Sequence, residues 1–225
     1  MARFVTAADP AGPAAELLVQ LLAEADRQLG RARLAVAGGS VAGLLGAVRR
    51  GLPAGVWGRL ALTWVDERCV PLADPQSNRG AAYREGHLDP AEPPALELPL
   101  YLDGETPPEA CARVAAALRG PFQGALDVLL LGMGEDGHIA SLFPGRPFER
   151  TGSPPVFAVP DSPKPPPRRI TLALSMLATA ESAVLVASGP GKRAALERLA
   201  QGDPALPASG LGGLTVMTCG LTGKS

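Results

Sequence analysis

Cysteine is scarce in this 225-residue chain: Cys69, Cys111 and Cys219 are odd in number, far apart and without C-x-x-C spacing. Neither a disulfide framework nor a zinc site is indicated, and a reducing compartment fits. Lysine is as scarce, with only Lys164, Lys192 and Lys224; a GC-rich genome and a hot habitat would each produce that bias. Surplus charge is lacking too. The formal net charge is -1 and the pI about 6.1, so no overall basic field exists to hold nucleic acid or an anionic membrane. No stretch approaches the roughly 20 apolar residues that span a bilayer. Asp9, Pro10 and Glu16 interrupt the region where the apolar core of an export signal would lie. These absences lead to the expectation of a soluble cytosolic protein with a small-molecule partner. Any anion site must come from a few Arg, Lys and backbone N–H groups gathered locally.

What the chain does have is 46% apolar residues, enough for a sizeable core, punctuated by 27 Gly and 24 Pro. Residues 14–29 have helical periodicity; 34–37 read as a strand, followed by Gly38-Gly39-Ser40 and a helix over 41–50. A second strand over 60–65 runs into a charged loop, Asp66-Glu67-Arg68, and 70–108 reads mostly as loop with a short helix near 78–86. A helix over 109–119 precedes the most apolar strand candidate, 126–131, and its turn at 132–137. Strands are expected at 156–159, 170–174, 183–187 and 214–218, with a helix over 192–199. Strands alternating with helices predict an α/β fold with a mainly parallel, doubly wound sheet covered by helices on both faces. Neither an internal repeat nor a dividing linker is visible, so residues 1–225 are read as one domain.

Gly38-Gly39-Ser40 stands between a strand and a helix, where N–H groups at the helix start could meet an anion. An ordinary βα turn with Ser40 as N-cap would look the same. Lys164, Arg168 and Arg169 cluster around the proline run 163–167, which suits either a dianion or a solvated basic loop. Arg68 follows a strand end and could bind an anion or pair with its acidic neighbours. Gly132-Met133-Gly134-Glu135-Asp136-Gly137 matches the dinucleotide fingerprint G-x-G-x-x-G, with Asp161 at the usual distance. Glu135 and Asp136 would put negative charge where a pyrophosphate must lie, and Pro144 cuts short the helix that should follow. The dinucleotide reading is therefore rejected. The glycines instead allow a sharp turn that presents Asp136 and His138 to a cleft. His138 is one of two histidines, and an imidazole near its ordinary pKa can take a proton from water at neutral pH; Asp136 could hold its tautomer or cap a helix. The ending Gly223-Lys224-Ser225 lacks the spacing of a P-loop. Lys192 reads as a surface residue at a helix start, with a supporting role at a site as the alternative.

Taken in order, four segments resemble the 6-phosphogluconolactonase family: Ala37-Gly38-Gly39-Ser40; residues 64–71 with Ser77-Asn78; residues 131–145, with Ser141-Leu142-Phe143-Pro144 after Gly137-His138; and Pro163-Lys164-Pro165-Pro166 through Arg169-Ile170-Thr171. The likeness covers nearly the whole length. It implies a NagB-like, Rossmann-like three-layer sandwich that hydrolyses 6-phospho-D-glucono-1,5-lactone in the oxidative pentose phosphate pathway, without metal or organic cofactor. It further implies that His138 is the base, that Gly39, Ser40, Arg68, Lys164 and Arg169 grip phosphate or sugar oxygens, and that Asp66 and Asn78 shape the pocket. The family usually continues Gly-Gly-Ser-Thr-Pro, whereas this chain has Val41-Ala42, which removes one hydroxyl from the first loop. The rivals are a glucosamine-6-phosphate deaminase or isomerase, whose signature continues toward Asn-Glu-Pro, and a non-catalytic sugar-phosphate sensor. A monomer is the expected form.

Overall fold

The computed structural model describes residues 2–147 and 154–219. With strands numbered in chain order, β1 (Arg3–Thr6), β2 (Ala32–Val36), β3 (Leu60–Trp64), β5 (Leu96–Leu98), β6 (Val128–Gly132), β9 (Ser182–Val186) and β10 (Leu214–Thr218) form one sheet in the order β1-β10-β9-β6-β2-β3-β5. Every neighbouring pair is parallel. A smaller antiparallel sheet joins β4 (Asp66–Arg68), β8 (Arg169–Leu172) and β7 (Val156–Val159) in the order β4-β8-β7. The α/β class and the mainly parallel sheet flanked by helices are as expected.

The central strands are near-continuous apolar runs because helices cover the sheet; Leu129, Leu131, Val184 and Leu185 are all inaccessible to solvent. Helix α1 (Ala11–Leu29) buries Ala14, Leu18 and Leu22 on one stripe and ends at Gly30, whose φ of 70° supplies the left-handed cap. Each of those fully buried leucines contributes roughly 2 kcal/mol of transfer free energy. At the start of the central strands, Asp127 accepts the Arg33 backbone N–H at 2.7 Å and its Nε–H at 3.0 Å; Asp127 is buried and Arg33 largely so. Asp127→Ala would leave the Arg33 charge uncompensated, and it is expected to destabilise the fold by about 3 to 5 kcal/mol in urea unfolding. A loss under about 1 kcal/mol would show that the pair is dispensable.

The architecture puts a switch point between β2 and β6. The chain leaves β2 for its neighbour β3 on one side, whereas β6 is flanked on its other side by β9. Loops after the two adjacent strands therefore part and leave a crevice at their C-terminal ends, where open parallel sheets bind ligands.

Several expected elements need correction. Asp66-Glu67-Arg68 is strand β4, not a loop: its backbone pairs with β8, Asp66 opposite Thr171 and Arg68 opposite Arg169, while protein partners satisfy the two acids. The strand expected over 170–174 stops at Leu172, and Leu174–Leu177 form a short helix. Residues 41–50 divide into a 3-10 turn, Gly39–Val41, and helix α2, Gly43–Gly51. The region 70–108 contains helix α3, Asn78–Arg84, and also β5, which joins the main sheet. Strand β1 was not anticipated. Among the described residues, no helix is long and apolar enough to cross a membrane. Gly223-Lys224-Ser225 lies outside the described residues.

Candidate active site

The crevice is a polar cleft of about 180 Å3. Its walls come from the turn after β2 (Gly38, Gly39, Ser40), from β4 and the start of α3 (Asp66, Arg68, Asn78), from the turn after β6 with His138, and from Arg169 on β8. Four segments distant in sequence thus meet at one place. Asp136 and Lys164 do not line it; they stand behind the imidazole. A larger cleft of about 380 Å3 lies between residues 141–147 and β7, lined by Leu142, Phe143 and Phe157. Among the described residues its one carboxylate is Asp161, which pairs with Arg146 at 2.9 Å.

The β6 turn is tightly built. The Gly134 N–H donates to the His138 carbonyl at 2.9 Å and the Gly137 N–H to the Gly134 carbonyl at 3.0 Å. Gly137 has a φ of 88°, which glycine adopts without penalty. Ala140 is also left-handed, at φ 50°, at a cost of about 1 to 2 kcal/mol. That kink separates His138, which faces the cleft, from Ser141, which faces Asp66.

His138 Nδ1 lies 2.5 Å from Asp136 Oδ1. A carboxylate can only accept, so Nδ1 carries the hydrogen and Nε2 keeps its lone pair. The Phe143 ring lies 4.7 Å from the imidazole, centroid to centroid, and helps to exclude water. Burial holds the His138 pKa below the ordinary imidazole value; Lys164 pushes the same way, and Asp136 and Asp66 oppose. Burial pulls the Asp136 carboxyl up, but the His138 hydrogen bond and the nearby His138 and Lys164 charges outweigh it and leave the pKa lowered. The ring is consequently neutral at physiological pH with its tautomer fixed.

Asp66 is buried and fully occupied. Its Oδ2 accepts the Ser141 hydroxyl at 2.6 Å, while Asn78 Nδ2 donates to its Oδ1 at 3.2 Å and its backbone carbonyl at 3.0 Å. A Cβ on Gly38 would lie 2.0 Å from Asn78 Oδ1, so only glycine fits where the β2 turn meets α3. Glu67 accepts the backbone N–H groups of Arg68, Asn78 and Arg79 and fixes the start of α3. Arg68 is not paired with its acidic neighbours. One Nη donates to the Gln76 carbonyl at 2.6 Å, and Nε is buried without a partner.

Arg169 was expected to grip phosphate, yet its N–H groups are turned to the protein: Nε to the Pro166 carbonyl, Nη2 to the Lys164 and Pro165 carbonyls, and Nη1 to Ser141 Oγ. Arg168 is exposed. Lys192 is half-buried rather than a surface residue. Burial lowers its pKa, Lys164 acts in the same direction, and Glu135 opposes. Among the described residues, no group of three or more His, Cys, Asp or Glu is placed to hold a metal ion.

The profile of the glucosamine-6-phosphate isomerase/6-phosphogluconolactonase family matches residues 6–217. The chain belongs to this family. A 6-phosphogluconolactonase from Rattus norvegicus is 39% identical over 193 residues, covering 80% of this chain and 73% of its own. One from Streptomyces coelicolor is 34% identical over 226 residues, covering 94% and 84%. The crystal structure of a 6-phosphogluconolactonase from Shewanella baltica superposes with a TM-score of 0.81 at 23% identity, covering 97% of each chain, a likeness of fold.

Within the glucosamine-6-phosphate isomerase/6-phosphogluconolactonase fold, the departure at Val41 has a simple location. Val41 is 2% exposed, and a Cβ built on Gly132 would touch it at 3.5 Å. Its side chain packs on β6 and is not among the residues lining the cleft, so a hydroxyl there would not reach the cleft from this position. The residues that sequence reasoning left without a role are Ser141, Phe143 and Glu67. The Ser-Leu-Phe-Pro motif pointed to the first two by position alone.

Proposed function

We propose that the chain hydrolyses 6-phospho-D-glucono-1,5-lactone to 6-phosphogluconate, the step of the oxidative pentose phosphate pathway that the family resemblance implies, with water activated by His138. The observation that carries this reading is the His138–Asp136 pair at the rim of the cleft that is also lined by the Gly38–Ser40 turn and the Arg68 side chain. The N–H groups at the start of the turn and the Arg68 guanidinium grip the phosphate. Lys164 supplies a further positive charge beside the pair. Asp66 and Asn78 brace the wall.

Nε2 removes a proton from water as its oxygen bonds to the lactone carbonyl carbon, and the carbonyl electrons move onto oxygen. A cation or N–H group of the cleft stabilises that oxyanion. Collapse breaks the bond to the ring oxygen, which takes the proton back from the imidazolium. The new carboxyl group loses its own proton to solvent. Asp136 keeps the ring oriented and stabilises its transient charge, as the carboxylate of a hydrolase triad does. The same reading takes the protein to be a monomer of the cytosol.

Arg68→Ala is expected to raise KM for the lactone about 10- to 100-fold with little change in kcat, because a charge-assisted contact to a remote phosphate is made equally in ground and transition states. Initial rates with freshly prepared lactone measure this. A fall in kcat at unchanged KM would move Arg68 to the reacting centre.

A further inference from the structure

We propose that Arg169 is a positioning residue and not a substrate ligand: it fastens the Lys164–Pro166 loop to Asp66 and Ser141, and so holds the Lys164 ammonium beside the Asp136–His138 pair. The inference rests on the reading of His138 as the base.

A guanidinium has five N–H donors in one plane. Arg169 is 4% exposed; its donors make four hydrogen bonds, and Nη1 also faces the Asp66 carboxylate in an ion pair. Nε donates to the Pro166 carbonyl at 3.1 Å; Nη2 donates to the Lys164 carbonyl at 3.0 Å and the Pro165 carbonyl at 3.1 Å. On the other side Nη1 meets Ser141 Oγ at 3.3 Å and Asp66 Oδ2 at 3.5 Å. A phosphate oxygen could be gripped only by breaking one of these buried contacts. Three of the five go to consecutive carbonyls of a single loop, which is how a planar fork fixes a backbone and a single ammonium cannot.

What the loop presents is Lys164. Its Nζ lies 3.6 Å from Asp136 Oδ1, the same oxygen that holds His138 Nδ1. Ser162 Oγ donates to the Lys164 carbonyl and accepts its N–H, which closes the loop on itself. The charges facing His138 are Asp136 from its own turn, Lys164 from this loop and Asp66 from β4, with Arg68 and Arg169 also lining the cleft. Lys164 is the cation that shares the imidazole's carboxylate. Displacing it frees Asp136 to favour the imidazolium, so the base stays protonated to a higher pH.

The test is a cycle of lactone hydrolysis in the wild type, Lys164→Met, Arg169→Lys and the double variant, each followed across pH. Arg169→Lys keeps a cation beside Asp66 but cannot span the three carbonyls. It is expected to lower kcat/KM about tenfold and to move the acid limb of the profile to higher pH, as Lys164→Met does. In the Lys164→Met background it should have no further effect beyond about twofold. Independent effects that multiply would mean that Arg169 touches substrate itself and would overturn the proposal. Lys164→Met probes the second half without disturbing the buried arginine, and an acid limb that stays in place in that variant also overturns it. Failure of the underlying reading looks different: His138→Ala would then turn over as fast as the wild type.

Discussion

Replacing His138 by alanine is expected to lower kcat and kcat/KM together by about 10²- to 10⁴-fold, or roughly 3 to 5 kcal/mol of barrier, the usual worth of a positioned general base. The substitution takes an imidazole from a cleft wall and leaves the buried Asp66 network intact, so the fold should persist. Stopped assays on freshly made lactone give the rate, and unchanged turnover would remove His138 from the mechanism. The pH profile of the wild type carries the same claim. A base acts when deprotonated, so activity is full above the pKa of His138 and falls as pH drops through it. Burial, with Lys164 acting in the same direction, holds that pKa below the ordinary value of about 6.5. The plateau should therefore extend through neutrality, with the acid limb below that value. A limb centred above it would contradict the desolvated environment beside Phe143.

The second large effect is expected from a residue with no functional group. A Cβ on Gly134 would lie 2.1 Å from His138 Nδ1, 2.2 Å from Cε1 and 2.6 Å from Asp136 Oδ1. All three distances are far inside van der Waals contact, so in Gly134→Ala the pair must separate or the turn must open. Displacement of a base by about 1 Å costs on the order of 10²-fold in rate. Loss of kcat with native-like circular dichroism is the expected outcome, and a fully active Gly134→Ala enzyme would show that the His138–Asp136 contact is not needed. Gly134 of the apparent dinucleotide fingerprint thus makes room for the His138–Asp136 contact.

The central part of the fold was legible because burial imposes a period. Apart from Thr63 and Asp127, the runs at 60–65, 126–131 and 183–187 are apolar on both faces, and α1 repeats its leucines at helical spacing, so strand and helix could be told apart. Strand β4 was not legible: three charged residues read as a loop, and they are a strand only because β8, a hundred residues later, pairs with them. Strands β1 and β5 are short edges with one neighbour each, and they leave little periodic signal. The site divides along the same line. Gly38-Gly39-Ser40 and the turn from Gly132 to His138 were visible because βα turns at strand ends have local signatures. The hydrogen bond of Ser141 to Asp66, 75 residues apart, has none. Nor could sequence show that Arg169 points inward to three carbonyls while Arg168 is exposed; that follows from the alternation of a strand whose start was placed one residue late.

The most direct measurement is the formation of 6-phosphogluconate from freshly prepared 6-phosphogluconolactone, followed by a coupled assay against spontaneous opening of the ring at neutral pH. The enzyme should exceed that background by orders of magnitude and release no ammonia from glucosamine 6-phosphate. A rate no faster than the spontaneous one, with 6-phosphogluconate still bound, would leave a sugar-phosphate sensor in place of a hydrolase.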